Sequence, residues 1–237
     1  MLDFSRFELL TFDCYGTLIN WEDGILRCMR RILSAHGKNI EDAAILKFYG
    51  DFEASAEQGE YRCYRKVLDS VVRQFGEQLG FSPTDQEITS LAESLKDWKP
   101  WPDTIKALRE LQSRFPLAII SNVDDDLFAT TRPQLEVEFT QIVTAQQAQA
   151  YKPSLKIFEL ALGRVGVPAQ RILHLGQSLF HDVIPAQSLG LATVWVNRPS
   201  ARSGVGAVKI AEAHPDLQVH SLAELATLAN GRETSTG

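Results

Sequence analysis

The chain has 237 residues, 44% of them hydrophobic, enough for a sizeable buried core in one large domain or in a core that carries an insertion. Its net charge of -6 offers no broad excess of Lys and Arg, which argues against nucleic acid and anionic membranes as partners and leaves room only for a local basic pocket. The cysteines, Cys14, Cys28 and Cys63, are odd in number and form no C-x-x-C pair, so they read as reduced thiols rather than a disulfide framework or a zinc site. Asp3, Arg6 and Glu8 punctuate the start and no apolar run approaches membrane-spanning length, so a soluble, cytoplasmic protein is expected.

In chain order, the apolar run Leu9 to Phe12 reads as a strand that delivers Asp13 and is broken by Gly16. After Asn20 to Gly24 the pattern is helical for a long way. Ile25, Met29, Ile32 and Leu33 form one stripe, Ala44, Phe48 and Phe52 a second, and Val67, Val71, Phe75 and Leu79 a third. A fourth helix is predicted from Thr84 to Leu95, with Pro83 at its start. No strand is predicted in this stretch, which implies a helical module inserted after the first strand. Trp98 to Pro102 closes it.

From Asp103 onward helices and strands alternate. Strands are expected at Leu117 to Ile120, Phe139 to Thr144, Arg171 to Leu175 and Ala192 to Val196, with a loop at Thr144 to Tyr151 and a helix from Asp182 to Leu189. Asp124 to Asp126 read as acids at a helix start, favoured there by capping and the helix dipole, rather than as a metal cluster. Arg198 to Gly206 reads as a loop and Gly231 to Gly237 as a disordered tail. The fold class expected is α/β, a Rossmann-like parallel sheet flanked by helices. Residues 1–18 and 98–237 form its core and residues 19–97 an inserted helical cap.

The ends of the predicted strands supply a constellation. Asp13 and Thr17 lie in D-C-Y-G-T-L, Ser121 and Asn122 end the second strand, Lys152 sits in Tyr-Lys-Pro before a helix, and Gly176-Gln177-Ser178 runs on to Asp182. Each element alone is common. In this order they resemble the haloacid dehalogenase superfamily, and the helical insert sits where that family carries its cap. The resemblance implies Asp13 as nucleophile and Thr17 as its supporting hydroxyl. A second carboxylate such as Asp182 at about 5 Å would oppose ionisation of Asp13 by about 3 kcal/mol at an effective dielectric near 20, a shift of roughly two pKa units. Lys152 is therefore assigned to keep Asp13 anionic and attract an anionic substrate, with Thr17, Ser121 and Asn122 as donors to carboxylate oxygens.

Two departures choose among members of that superfamily. Its phosphatases place a second Asp two residues after the nucleophile, where this chain has Tyr15, and usually an Asp after the Gly of the fourth motif, where this chain has Gln177. Both changes point away from phosphoryl transfer, and D-x-Y-G-T resembles the 2-haloacid dehalogenases, which need no metal. Those enzymes carry Ser-Ser-Asn at the fourth motif, whereas Gly176 to Asp182 keeps the phosphatase spacing; Asp182 is read as orienting Lys152 or helping to activate water. The resemblance also implies a cap arginine and aromatics for the substrate, for which Tyr61-Arg62-Cys63-Tyr64-Arg65 is the best stretch. Arg62, Arg65, Tyr15, Asn122 and Ser178 are the expected substrate-binding residues. Arg27, Arg30 and Arg31 read as a solvated face, and His174 and His181 as packed or surface histidines.

Three functions stay open on the sequence. The first is a 2-haloacid dehalogenase with no cofactor, in which Asp13 displaces halide from a small anionic substrate. The second is a magnesium phosphatase using Asp13, the Tyr15 backbone and Gln177 or Asp182 as ligands. The third is a non-catalytic binding protein on the same scaffold. A homodimer is compatible with each.

Overall fold

The computed structural model describes residues 2–200 and 207–231. Its centre is a six-stranded parallel sheet in the order β3-β2-β1-β4-β5-β6. The strands are β1 (Leu9–Phe12), β2 (Leu117–Ser121), β3 (Gln141–Thr144), β4 (Ile172–Gly176), β5 (Ala192–Val196) and β6 (Leu217–Val219). Every residue of β1, β2 and β4 is buried, as expected of central strands covered on both faces by helices. The strand β6 was not expected, because three residues are too few to display a period of two; Asp216 fastens it by accepting the Thr193 N–H at 2.8 Å.

Four helices follow β1 before residue 98: α1 (Trp21–Ala35), α2 (Asp42–Ala56), α3 (Tyr64–Leu79) and α4 (Asp85–Ser94). No strand is among them, and they pack chiefly on one another. Ile25, Met29, Ile32, Val67, Val71 and Phe75 are buried as the stripes require. In α2 the expected stripe is the flank. Phe48 and Phe52 are half-buried and stack on each other beside Phe75, while Ile45, Tyr49, Glu53 and Ala56 are the buried face. Thr84 caps α4 with Glu87 in a reciprocal pair, placing the start of that helix at Asp85. Arg27, Arg30 and Arg31 are exposed as expected, and Arg30 pairs with Asp42. The segments that lead into and out of these four helices meet in an isolated antiparallel bridge between Ile19 and Pro100.

The sheet is flanked by α5 (Thr104–Gln112), α6 (Asp125–Thr131), α7 (Ala145–Ala148), α8 (Leu155–Val165), α9 (Ile184–Ser188) and α10 (Leu222–Ala229). The expected loop at 144–151 thus contains the short α7, started by Thr144 accepting from the Gln147 N–H. The expected helix from Asp182 is also different. A wide π turn, Leu179–Val183, precedes α9, and Pro185 with its missing N–H sits in the first turn of that helix. Residues 201–206 and 232–237, within the expected loop and tail, lie outside the described residues. Among the described residues no helix is long and apolar enough to cross a membrane.

The order of strands reverses between β1 and β4, so the crevice outside their carboxyl ends is a topological switch point, where ligands of open parallel sheets collect.

Candidate active site

Asp13 is the residue after β1, and its N–H donates to the Leu175 carbonyl at 2.9 Å, so the strand ladder aims the side chain. Gly16 then turns the chain at φ +100°, and a Cβ there would come within 2.1 Å of the Gln177 Oε1. This turn brings Thr17 back beneath Asp13. The Thr17 hydroxyl donates to Asp13 Oδ2 at 2.7 Å and accepts the Gln177 N–H at 2.8 Å, coupling the end of β1 to the end of β4.

Lys152 is 1% exposed and its ammonium uses all three donors: Asp13 Oδ1 at 2.8 Å, Asp182 Oδ1 at 2.6 Å and the Ile120 carbonyl at 3.0 Å. Burial opposes its charge, but Asp13 and Asp182 outweigh burial and hold its pKa above that of an ordinary lysine. Burial also works against the Asp182 carboxylate, yet Lys152 and His174 hold it down at about 2. For Asp13 the balance is different: burial pushes its carboxyl up more than Lys152 pulls it down, and Asp182 adds to the push. Asp13 is therefore the more easily protonated of the two acids. Its ionised form depends on Lys152.

Around this centre the structure distributes the expected residues unevenly. Asn122 does not reach the Asp13 carboxylate; its Oδ1 accepts the Lys152 N–H at 2.7 Å and its Nδ2 donates to the Lys152 carbonyl at 3.2 Å, so it clamps the lysine's backbone. The Ser121 hydroxyl is fully buried without a hydrogen-bond partner among the described residues, and the residue lines the space beside Asp13. Tyr15 lines that space as a ring, because its hydroxyl is committed to Thr131 at 2.8 Å and its edge packs on Trp98. Ser178 starts the π turn by accepting the His181 N–H at 3.0 Å, and its hydroxyl meets His181 Nδ1 at 3.2 Å. With that hydroxyl donating to Nδ1, the imidazole proton is on Nε2.

The two arginines expected to bind substrate are engaged elsewhere. Arg62 Nη2 donates to the Ala56 carbonyl at 2.5 Å, and Arg65 Nη2 to Asp126 Oδ2 at 2.6 Å on the protein's outside. The cause is Asp124. Its carboxylate accepts the N–H groups of Tyr64 and Arg65 at 2.8 and 2.9 Å, so this acid at the start of α6 caps α3 rather than its own helix. That cap orients α3 with Tyr64 inward and the arginines away from Asp13.

What faces Asp13 from the insert is Glu53. The enclosed space beside Asp13 is small, about 40 Å³, and Glu53, Tyr64, Trp21 and Ser121 help to line it. A wider cleft of about 460 Å³ shares Glu57, Lys152 and His181 with it. Glu53 Oε1 accepts from the Tyr49 hydroxyl at 2.9 Å and the Tyr64 hydroxyl at 2.5 Å. Burial raises the Glu53 pKa to about 7, against the pull of the two tyrosine bonds and with a further push from Asp13. His181, half-buried at the same space, is lowered to about 4 by burial and is neutral at pH 7. His174 is packed as expected, with Nδ1 against Thr11 Oγ1 at 2.9 Å and Nε2 facing Asp182 Oδ1 at 3.3 Å. Sequence reasoning missed Glu53; the signal was an acid at i+4 from a tyrosine on an otherwise apolar stripe.

A magnesium site of the phosphatase kind does not fit these residues. Lys152 already balances charge on both Asp13 and Asp182, and Gln177 brings only a neutral carbonyl, buried and without a partner among the described residues. Among the described residues no group of three His, Cys, Asp or Glu side chains could hold a metal ion, and a hard dication prefers carboxylate oxygens.

Residues 7–190 match the family model described as haloacid dehalogenase-like hydrolase. The chain belongs to that family. As a haloacid dehalogenase-like hydrolase it is an enzyme, and its relatives span nearly all of it. It is 27% identical to an (S)-2-haloacid dehalogenase of Pseudomonas fluorescens over 217 residues, covering 90% of this chain and 92% of that one. The L-2-haloacid dehalogenase from Xanthobacter autotrophicus superposes with a TM-score of 0.80 at 19% identity, over 96% of this chain and 100% of the other. The hydrolase YfnB from Bacillus subtilis, solved bound to magnesium, superposes at 0.77 and 19% identity over 95% of this chain and 99% of that one. The shared fold therefore does not decide whether a metal takes part.

Proposed function

We propose that the protein is a 2-haloacid dehalogenase acting on a small 2-haloalkanoic acid, with residues 19–97 as the cap over a core of 1–18 and 98–237. The observation that carries this reading is the environment of Asp13. Its carboxylate is held by Lys152 and Thr17 at the switch point, and the residue two positions on is Tyr15, whose hydroxyl is committed to Thr131. A phosphate ester would need a proton donor for its leaving group, and Tyr15 in that bond does not provide one. A halide leaves without a proton.

In this mechanism an Asp13 oxygen attacks the carbon bearing the halogen. The carbon–oxygen bond forms as the carbon–halogen bond breaks, and the halide departs with the bonding pair. Water then attacks the carbonyl carbon of the Asp13 ester. The acyl–oxygen bond breaks, one of the water's protons passes to the released alkoxide and the other to solvent, so that Asp13 is regenerated as a carboxylate and 2-hydroxy acid leaves with the oxygen Asp13 brought to the displacement. Lys152 keeps Asp13 ionised and attracts the substrate anion, Asp182 fixes Lys152, and Ser121 Oγ and His181 Nε2 offer donors to the substrate. The reading assigns no step to a metal or cofactor, in keeping with the poor fit of the donor set to magnesium.

The experiment is single turnover in heavy-oxygen water. The label is expected in Asp13 and not in the first molecule of product, and Asp13→Asn should give no detectable halide release with its fold retained. Haloacids with a chelator, run beside phosphate esters with magnesium, provide the complementary measurement. Turnover of the phosphate esters alone would reject the dehalogenase reading.

A further inference from the structure

We propose that Glu53 receives the substrate's carboxylate as a neutral carboxylic acid, donating a hydrogen bond from Oε2; this rests on the dehalogenase reading above. The geometry is that of an acid with one oxygen saturated and the other free. Glu53 Oε1 accepts from the hydroxyls of Tyr49 and Tyr64, which lie 3.0 Å apart, whereas Oε2 makes no hydrogen bond with any described residue. The carboxyl plane is thus fixed by two tyrosines on two helices. Its unpaired edge belongs to the small space that Asp13 and Lys152 also line.

The electrostatics of that space call for a neutral group. Lys152 is the only lysine or arginine lining it among the described residues, and its charge is already shared by Asp13 and Asp182. The three together carry one net negative charge. An ionised Glu53 would add a second beside an anionic substrate, while a protonated one removes that repulsion and supplies a donor in the place where a cationic side chain is absent. The groups that face Glu53 are Tyr49 on α2 and Glu57 directly after it, Tyr64 on α3, Asp13 after β1, Lys152 before α8, and His181 and Asp182 after β4. Burial and Glu53 itself push Glu57 up, which disfavours a further carboxylate, and burial keeps His181 neutral, so His181 supplies no compensating cation at neutral pH. Burial also holds the Glu53 carboxyl at about 7, which leaves a large protonated fraction at that pH.

Calorimetric titration of the full chain with 2-hydroxypropionate, an unreactive carboxylate of the product class, tests this from pH 5.5 to 9. In the unaltered protein the Kd is expected to rise about tenfold per pH unit above about pH 7, with uptake of close to one proton per carboxylate bound at pH 8. Glu53→Gln keeps a donor at every pH, so its Kd should be flat and its proton uptake zero. Tyr64→Phe removes a bond that favours the ionised form and should move the rise to higher pH; where Glu53→Gln fails to fold, that shift decides. The proposal is overturned if the unaltered protein binds with a flat profile, if Glu53→Gln keeps the rise, or if 2-hydroxypropionate does not bind at pH 6. Halide release is measured separately. Binding with the expected profile but without halide release would reject the dehalogenation and not the role of Glu53, whereas halide release with a flat binding profile would do the reverse.

Discussion

The two halves of the site are held by opposite kinds of chemistry. On the sheet side a fully charged triad, Asp13, Lys152 and Asp182, is buried with every ammonium proton donated, and each member is fixed by a neighbour: Thr17, Asn122 and His174. On the helical side a single acid, Glu53, is buried among phenols with one oxygen unpaired. A buried charge is tolerated only when it is paired, so the first half is rigid and ionised, and the second is held close to neutrality. The contrast teaches that in this molecule the groups that carry charge come from the strand ends and the loops that follow them, whereas the helices between β1 and residue 98 contribute hydrogen bonding with little charge.

The largest effect should come from removing the one cation of the charged half. Lys152→Met leaves two buried carboxylates facing each other, a change that costs about 3–5 kcal/mol in comparable buried pairs. Urea unfolding at pH 7 is expected to show that loss, together with complete loss of turnover. Protonation of Asp13 would relieve part of the repulsion, so the deficit should shrink as the pH falls. A loss below about 1 kcal/mol would mean that the triad is not the electrostatic unit its geometry implies.

How much of this could be read from the sequence follows the same division. Asp13, Thr17, Ser121, Lys152 and Asp182 all lie at strand ends or in the loop facing them, where an apolar run followed by Gly or Asn identifies both the strand and the residue it delivers. The sheet was legible for the same reason, except for the three-residue β6. The helical side was not. A stripe through Ala44, Phe48 and Phe52 looks as apolar as the true buried face through Ile45, Tyr49, Glu53 and Ala56, and only α3 packing against it decides which is turned inward. The same holds for Tyr61 to Arg65: spacing alone leaves the arginines and tyrosines equivalent, and the distant Asp124 breaks the tie by capping α3.

A medium effect, opposite in sign between the two halves, is expected in stability against pH. Asp182 has a folded pKa of about 2, below its usual value of 3.8. Its contribution, about 2 kcal/mol, is therefore present above pH 3.8 and lost as pH falls through 2. Glu53 has a folded pKa of about 7, above the usual 4.5. Its contribution is fully present below pH 4.5 and is lost as pH rises through 7, an expense of about 3 kcal/mol at alkaline pH. Chemical denaturation of Glu53→Gln should accordingly match the unaltered protein at pH 4.5 and exceed it at pH 8.5. Asp182→Asn should fall short at pH 7 and converge at pH 2. Parallel curves for the two variants would erase the distinction between a charged and a neutral half.

The smallest effect tests where the helical half ends. Arg65 has the charge that a substrate carboxylate would seek, but its guanidinium is spent on Asp126, and the two side chains are 39% and 66% exposed. An exposed pair of this kind contributes about 0–1 kcal/mol, because water screens the attraction and two long side chains must be ordered to make it. Arg65→Ala should therefore leave the melting temperature almost unmoved and the KM for a haloacid unchanged. The backbone N–H of residue 65 still donates to Asp124 in the variant, so the start of α3 and the inward placement of Tyr64 are preserved. The substitution thus separates the side chain's charge from the position its backbone fixes. A tenfold rise in KM with unchanged stability would return Arg65 to the substrate's side of the cleft and make the helical half a cationic one.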